Sequence, residues 1–308
     1  MTVLGAGEVR DLLERHGLEA RRSLGQNFVA DPNTVRKIVR LAGVGPGDHV
    51  VEIGPGLGSL TLALVEAGAS VLAVEKDAAL VPVLTDVLDR ASDRASDRTL
   101  EGAPDRGPDG VPDRASEDAG VVPGSARVLL ADALDLDWDE VTAGASWTLV
   151  ANLPYNVAVS VVMDVLERAP AVERLVVMVQ QEVAERIVAR PGGRTIGIPS
   201  IKVAWYGEAR ILATVGPEVF VPRPRVMSAV IGIDRGPPPS TSVGPDEVFP
   251  LVEQAYRQRR KMLRSTIGPV VGTAAFAAAG IEPTSRPEEL GVGDWTRLAE
   301  AVQVGERW

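Results

Sequence analysis

The chain has 308 residues, of which 45% are hydrophobic and 24% charged, a balance typical of a globular protein with one large and one small domain. The absence of cysteine excludes a disulfide framework, a thiolate metal site and a cysteine nucleophile, and two histidines poorly supply a metal centre or a Ser-His-Asp triad. No apolar run reaches the roughly 20 residues of a membrane span, and the acidic N-terminus is unlike a signal peptide. We therefore expect a cytoplasmic protein that binds no metal ion.

The net charge of −10 is unevenly distributed. Residues 89–118 contain nine acidic residues and five arginines, a net charge of −4, and they include the near-repeat DRASDRASDR. This stretch has no aromatic and few large aliphatic residues, so its burial could not offset the entropy of ordering. We predict a disordered insertion over residues 89–124.

The first half of the chain alternates helical and strand patterns after a helix-like N-terminus. Asp31-Pro32-Asn33 is a typical helix start, and the helix is expected to run to about Leu41. Short apolar runs, typical of buried parallel strands, occupy residues 48–53, 70–75, 126–130 and 147–151. Further helices are predicted over residues 59–67 and 78–88.

The second half continues this alternation and then changes character. Helices are predicted over residues 157–168 and 181–189, and strands over 174–179, 201–205, 208–215 and 227–233. The order predicts an α/β fold, a doubly wound parallel sheet that is mixed at its late edge. A Pro/Ser-rich linker separates a catalytic domain, residues 1–236, from a small helical domain, residues 245–308.

A glycine-rich turn, Gly54-Pro55-Gly56-Leu57-Gly58, follows the first strand, where ligands of such sheets bind. Glu75 ends the next strand and is positioned to accept hydrogen bonds from a ribose, although an ordinary surface glutamate remains an alternative. The G-x-G-x-G spacing, preceded by Glu52, differs from the G-x-G-x-x-G of dinucleotide sites and suits S-adenosylmethionine, which carries no phosphate. Asp132, after the third strand, either accepts from the adenine amino group or caps a helix.

The tetrapeptide Asn152-Leu153-Pro154-Tyr155 follows the fourth strand. An exocyclic base amine is a poor nucleophile, and the Asn152 side-chain carbonyl and the Leu153 backbone carbonyl could accept both of its N–H bonds. Pro154 would stiffen the turn, and Tyr155 offers a ring on which a base can stack. The tetrapeptide predicts methyl transfer to a base amine.

With these motifs the chain resembles the KsgA-type small-subunit ribosomal RNA adenine N6-dimethyltransferases from Arg21 to about Ala301. The matching stretches are LGQNF, VEIGPGLGSLT, AVEKD, ADALD, ANLPYN, VMVQQEVAERIVARPG, FVPRP with SAV, and QRRKMLR. The resemblance implies a Rossmann-like methyltransferase sheet and S-adenosylmethionine as cofactor. It implies cofactor contacts from Asn27, Val29, Gly54, Glu75, Asp132 and Asn152, to which the turn adds Gly56 and Gly58 and the LGQNF segment adds Gln26.

The same resemblance implies that two adjacent adenines in a 3′-terminal hairpin loop of small-subunit ribosomal RNA are dimethylated. The immature small subunit would then be the partner of a monomeric enzyme. Phe220 could close the opposite face of the adenine, although a lone aromatic residue more often belongs to a core. We expect RNA contacts from the basic residues Arg21, Arg22, Arg223, Arg225, Arg257, Arg259, Arg260, Lys261 and Arg264.

Departures from the family pattern leave alternatives open. The chain has Ile196-Gly197-Ile198-Pro199-Ser200 where Tyr-Gly-Arg-Leu-Ser is usual, and Met227 where the family usually has aspartate. A large-subunit adenine methyltransferase that confers antibiotic resistance, a mainly non-catalytic ribosome-assembly factor and a nicotinamide-dependent oxidoreductase are the competing functions. Leu153 and Tyr155 favour the small-subunit enzyme.

Overall fold

The computed structural model describes residues 3–21, 25–100 and 124–306. The helices are α1 to α12 in chain order: Ala6–Arg15, Pro32–Ala42, Ser59–Glu66, Val81–Leu100, Trp138–Val141, Ala158–Arg168, Gln181–Ile187, Ile198–Tyr206, Pro245–Tyr256, Leu263–Thr266, Gly268–Ala279 and Val292–Glu306. The strands are β1 to β9: Phe28–Val29, His49–Ile53, Ser70–Glu75, Ala126–Leu130, Trp147–Asn152, Val172–Gln180, Gly207–Val215, Phe220–Val221 and Ser228–Arg235.

Seven strands form one sheet in the order β4-β3-β2-β5-β6-β9-β7. The first five are parallel, and β9 pairs antiparallel with both β6 and β7. The predicted doubly wound sheet with a mixed late edge is therefore confirmed. The chain leaves β2 toward β3 on one side and returns to β5 on the other, so their carboxyl ends border the crevice where such sheets bind ligands.

Helices cover both faces of the sheet. On one face, α2 and α3 pack Ile38 and Leu64 against strand residues such as Val50. On the other face, α6 packs Val161 and Val165 against a second set of strand side chains. Burial on both sides explains why β2 and β3 read as nearly continuous apolar runs.

The prediction of a strand over residues 201–205 was wrong, since this segment lies inside helix α8. Ile201, Val203 and Trp205 are all buried, which imitates the alternation of a strand. This alternation of apolar residues arises because α8 lies between two cores. Val203 contacts the sheet core, and Ile201 and Trp205 contact the C-terminal core. The start of α8 is stabilised by Ser200, whose hydroxyl accepts a hydrogen bond from the Gly197 amide at 3.0 Å, so this serine was a helix-start signal in the sequence.

The C-terminal helices α9 to α12 surround a core that includes Phe276 and Trp295. Because α8 joins this core, the helical part draws on residues that precede the predicted boundary. The division at residues 236–245 stays a prediction.

The predicted insertion begins later than expected. Helix α4 continues to Leu100, so the prediction of disorder was wrong for residues 89–100. Most of the remainder, residues 101–123, lies outside the described residues. In the described part of the chain, no helix is both long and apolar enough to cross a membrane.

A two-stranded sheet closes the N-terminal segment onto the body. Strand β1 pairs antiparallel with β8, and Phe28 is opposite Val221. This pairing holds the residues just before Phe28 over the carboxyl ends of β2 and β5.

Candidate active site

A cleft of about 200 Å³ opens at the carboxyl ends of β2, β3 and β5. Its walls contain eight of the nine predicted cofactor residues: Gln26, Asn27, Val29, Gly54, Gly56, Glu75, Asp132 and Asn152. The remaining predicted catalytic residues in its wall are Leu153, Pro154 and Tyr155. The cleft thus brings together residues that are up to 129 positions apart in the chain.

The glycine-rich turn needs glycine for two different reasons. Gly56 has a φ of +58°, and a Cβ there would lie 2.8 Å from the Phe28 ring, so the turn and the N-terminal segment can touch only without a side chain. Gly58, at the start of α3, does not line the cleft. Its φ of +89° favours glycine, and a Cβ there would lie 2.7 Å from the end of the Leu84 side chain of α4, so the structure gives Gly58 a backbone reason, and its predicted cofactor contact stays a prediction.

Glu75 fastens the turn to the end of β3. Its carboxylate accepts hydrogen bonds from the backbone amides of Gly56 at 3.1 Å and Asp77 at 2.8 Å. Burial raises the pKa of Glu75, and these two hydrogen bonds oppose the rise. A carboxylate oxygen has two lone pairs, so Glu75 can still accept hydrogen bonds from a ribose.

Glu52 also lies in the wall of the cleft but has no comparable partners. Its side chain is 1% exposed, and Oε2 has no hydrogen-bond partner among the described residues. The pKa of Glu52 is raised to about 8, mainly by burial. The Thr61 hydroxyl opposes this rise, and the negative charge of Glu75 adds to it.

Asp132 lies at the outer end of the cleft, after β4. Its Oδ1 accepts from the Leu134 amide at 3.2 Å, and its Oδ2 pairs with the ammonium group of Lys76. The Lys76 hydrogen bond lowers the pKa of Asp132. Asp132 thus caps a short helical turn while also lining the cleft, so the two predicted roles are compatible.

The tetrapeptide after β5 is oriented by the N-terminal segment. The Asn152 Nδ2 donates to the main-chain carbonyl of Asn27 at 2.9 Å, which leaves Oδ1 as the acceptor of this amide. The Pro154 carbonyl accepts from the Val157 amide at 3.2 Å. No described residue donates to the Leu153 carbonyl, so two carbonyl oxygens remain for an amine.

The aromatic residues are placed differently from one another. The Tyr155 hydroxyl lies 3.2 Å from Ser228 Oγ, which fixes the ring at the wall of the cleft. Phe220 is 3% exposed and packs in the core with Val29 and Val230. It does not line the cleft, and its burial agrees with the alternative of a core residue, while its contact with adenine stays a prediction.

Arg21 pairs with a residue in the wall of the cleft. Its guanidinium pairs with Asp77 at 3.1 Å, and Asp77 also accepts from Gln26 at 3.0 Å. This cluster anchors the N-terminal segment to the end of β3. Arg21 keeps half of its side chain exposed, so an RNA contact stays a prediction; Arg22 lies outside the described residues.

The remaining predicted RNA-binding residues are all exposed: Arg223, Arg225, Arg257, Arg259, Arg260, Lys261 and Arg264. The last five do not lie on one helix, because α9 ends at Tyr256 and four of them lie in the turn before α10. Arg259 pairs with Glu288 at 3.2 Å. No ion pair forms between the other four and any described residue.

Comparison with known proteins places this cleft in a family. The sequence profile described as ribosomal RNA adenine dimethylase matches residues 17–95 and 123–303. The chain belongs to this family. The matched ranges leave out residues 96–122.

Relatives and solved structures agree with this assignment. The ribosomal RNA small subunit methyltransferase A of Kineococcus radiotolerans is 45% identical over 99% of this chain and 94% of its own. That of Leifsonia xyli is 44% identical over 97% and 98%. The fold is shared with the 23S rRNA methyltransferase ErmE, with a TM-score of 0.61 and 20% identity over 90% of this chain and 100% of the ErmE chain. It is also shared with a dimethyladenosine transferase from Plasmodium falciparum, with a TM-score of 0.63 and 19% identity over 88% of this chain and 95% of that chain.

The chain is a methyltransferase whose cofactor is S-adenosylmethionine, and the donor set of the cleft fits this molecule. Four carboxylates, Glu52, Glu75, Asp77 and Asp132, line it, and Oε2 of the buried Glu52 lacks a partner among the described residues. Such a site favours a ligand with hydroxyl and amino groups and net positive charge. No cluster of three or more potential metal ligands occurs within the described ranges.

Sequence reasoning missed several residues of the cleft. Lys76, Asp77 and Asn156 line it, although none was predicted to bind a ligand. Asp77 could have been found, since it follows the strand-ending Glu75 by two positions. Nothing in the sequence pairs Lys76 with Asp132, because 56 residues separate them.

Proposed function

We propose that the chain transfers methyl groups from S-adenosylmethionine to N6 of two adjacent adenines in a 3′-terminal hairpin loop of small-subunit ribosomal RNA, giving dimethyladenosines. The observation that carries this proposal is the anchored Asn152 amide beside Tyr155 in the cleft. The activity of the curated relatives, which are ribosomal RNA small subunit methyltransferases, supports the substrate.

Asn152 orients and polarises the amine. Its Nδ2 is held by the Asn27 carbonyl, so Oδ1 and the Leu153 carbonyl can accept the two N6 hydrogens. Accepting both hydrogens localises the nitrogen lone pair and favours a tetrahedral geometry. The bound cofactor supplies an activated sulfonium methyl group, so this chain provides positioning rather than a strong base.

Tyr155 provides the stacking surface for the adenine. Its ring is held at the cleft by the contact with Ser228. Loop adenines are already partly unstacked, so moving one out of the RNA costs little. Stacking on an aromatic ring contributes about 1–3 kcal/mol per base. A second methylation needs room for the first methyl group, which the cleft beside Tyr155 is proposed to leave.

The exposed basic residues are proposed to bind RNA phosphate. Arg223 and Arg225 follow β8, close in sequence to Ser228 and therefore to Tyr155. The turn between α9 and α10 adds Arg257, Arg260 and Lys261, which make no ion pair with described residues. Local concentration of positive charge matters more for phosphate binding than the net charge of −10.

The proposed partner is the immature small ribosomal subunit, and the enzyme is proposed to act as a monomer during subunit maturation. The bacterial relatives are named for methylation of small-subunit RNA, and bacteria assemble that subunit in the cytoplasm, which is the proposed location of the chain.

The test uses small ribosomal subunits that lack the modification, labelled S-adenosylmethionine and nucleoside analysis. Wild type should produce dimethyladenosine at two adjacent positions of the small-subunit RNA, and Asn152→Ala should produce none while remaining folded. Asn33→Ala, at an exposed position of α2, is the matched control and should remain active. Methylation of large-subunit RNA instead, or full activity of Asn152→Ala, would overturn the proposal. Tight subunit binding without methylation would favour the assembly-factor alternative.

A further inference from the structure

Glu52 is a buried acid that no step of the methyl transfer described above uses. It is the penultimate residue of β2, is 1% exposed and lines the cofactor cleft. Its Oε2 has no hydrogen-bond partner among the described residues. A buried carboxylate with an unpartnered oxygen and no counter-ion is costly, so the ionised form of Glu52 is disfavoured unless a cationic ligand binds.

No protein cation is free to neutralise Glu52 within the described part of the cleft. The end of β3 contributes Glu75, Lys76 and Asp77; the segment after β4 contributes Asp132; and Tyr155 follows β5. Helix α3 contributes only Ser59 and Leu60 to the cleft, with the Thr61 hydroxyl close to Glu52. Lys76 is paired with Asp132, and Arg21, from the N-terminal segment, is paired with Asp77.

The free protein therefore holds Glu52 largely in its neutral form at neutral pH. Burial is the main reason why its pKa is raised from 4.5 to about 8, and the negative charge of Glu75 adds to this rise. Binding of the charged cofactor changes this protonation equilibrium. S-adenosylmethionine carries one positive charge more than S-adenosylhomocysteine, because the product has lost the sulfonium charge.

We propose that Glu52 loses its proton to solvent when the cationic methyl donor binds and regains one when the neutral thioether product remains. The carboxylate then stabilises the donor complex and not the product complex. Because Glu52 is protonated again after methyl transfer, the product complex lacks this stabilisation, which favours exchange of product for donor. The role concerns charge selection in the cofactor site and does not depend on the identity of the RNA.

Calorimetry in two buffers of different ionisation enthalpy measures this proton directly. At pH 7, wild type should release a large fraction of one proton on binding S-adenosylmethionine, because Glu52 is largely neutral in the free protein, and clearly less on binding S-adenosylhomocysteine. Glu52→Gln should bind the donor without this release, and its preference for donor over product should fall several-fold. Glu173→Gln, an exposed glutamate on β6, is the matched control and should behave as wild type.

Equal proton release for the two ligands, or release that persists in Glu52→Gln, would overturn the proposal. A second measurement needs only wild type, in case the variant does not fold. The ratio of donor to product affinity should rise several-fold from pH 5.5 to 7.5, because only the donor complex favours the ionised form of Glu52. Other titratable groups affect the two affinities similarly, so their effects largely cancel in the ratio. A constant ratio over this range would also overturn it. Neither experiment contains RNA, so both are independent of the proposed substrate.

Discussion

The Asn152 side-chain amide donates to the main-chain carbonyl of Asn27 over 2.9 Å. This hydrogen bond joins the end of β5 to the N-terminal segment, 125 residues earlier in the chain. It determines which end of the amide faces Asn27, and it leaves the carbonyl oxygen available as an acceptor. The orientation of the proposed amine acceptor is thus set by a backbone atom, which a side-chain substitution at Asn27 does not remove.

Asn152→Asp should therefore inactivate the enzyme although it preserves the shape of the side chain. A carboxylate cannot donate to the Asn27 carbonyl, and the two oxygens repel. We expect kcat/KM to fall about 100-fold or more, by analogy with removal of one positioned group in other active sites. Methyl transfer to small subunits is the measurement, with Asn33→Asp as control. A decrease below threefold would contradict the orienting role.

Replacement of Tyr155 separates its ring from its hydroxyl. Tyr155→Phe removes only the hydrogen bond with Ser228 and should retain most activity. Tyr155→Ala removes the stacking surface, so kcat/KM should fall about 5- to 150-fold, corresponding to the 1–3 kcal/mol of a base–aromatic stack. Steady-state kinetics compare the two variants. Similar decreases in both would assign the effect to the hydroxyl and not to stacking.

Gly56→Ala should weaken cofactor binding beyond the effect of backbone strain. The new Cβ would lie 2.8 Å from Phe28, which must then move from the wall of the cleft. Gly17→Ala is the matched control: its φ is +60°, but a Cβ there meets nothing within 4 Å. Both should lose about 1–2 kcal/mol of stability, while calorimetry should show weaker S-adenosylmethionine binding only for Gly56→Ala. Equal affinities would contradict this prediction.

Glu52 should make stability depend on pH. Its pKa is raised from 4.5 to about 8 by burial, so its contribution to stability is fully present below pH 4.5 and is lost as pH rises toward 8. The free energy of unfolding of the free wild type should fall more steeply between pH 5 and 8 than that of Glu52→Gln. Denaturant titrations at several pH values provide this comparison. Parallel curves for the two proteins would contradict the elevated pKa.

The turn between α9 and α10 should dominate the salt dependence of RNA binding. Arg257→Gln combined with Arg260→Gln should reduce the slope of log K against log salt by about 0.7 for each phosphate that the variant no longer neutralises. Lys37→Gln with Arg40→Gln, two exposed cations on α2, is the charge-matched control. Binding to small-subunit RNA at several salt concentrations measures the slopes. An equal reduction in both double variants would indicate a nonspecific effect of net charge.

Local sequence was sufficient to identify most elements of the sheet. Strands β3 and β4 have the predicted bounds, and α2 begins after Asp31, whose side chain accepts from the Thr34 amide as a helix cap. These features depend on neighbouring residues, so a single sequence records them. The motifs at the strand ends were equally local, and parallel strands bring such ends to one edge.

What the sequence could not provide depends on contacts between distant segments. The sequence by itself determined the order of elements, the glycine-rich turn and the residue types of the cleft, because each is a local pattern. Only the tertiary structure decided that α8 is a helix between two cores, that Phe220 is buried while Phe28 lines the cleft, and that Oε2 of Glu52 lacks a partner among the described residues. Burial and pairing are properties of packed neighbours, and these neighbours are far apart in the chain.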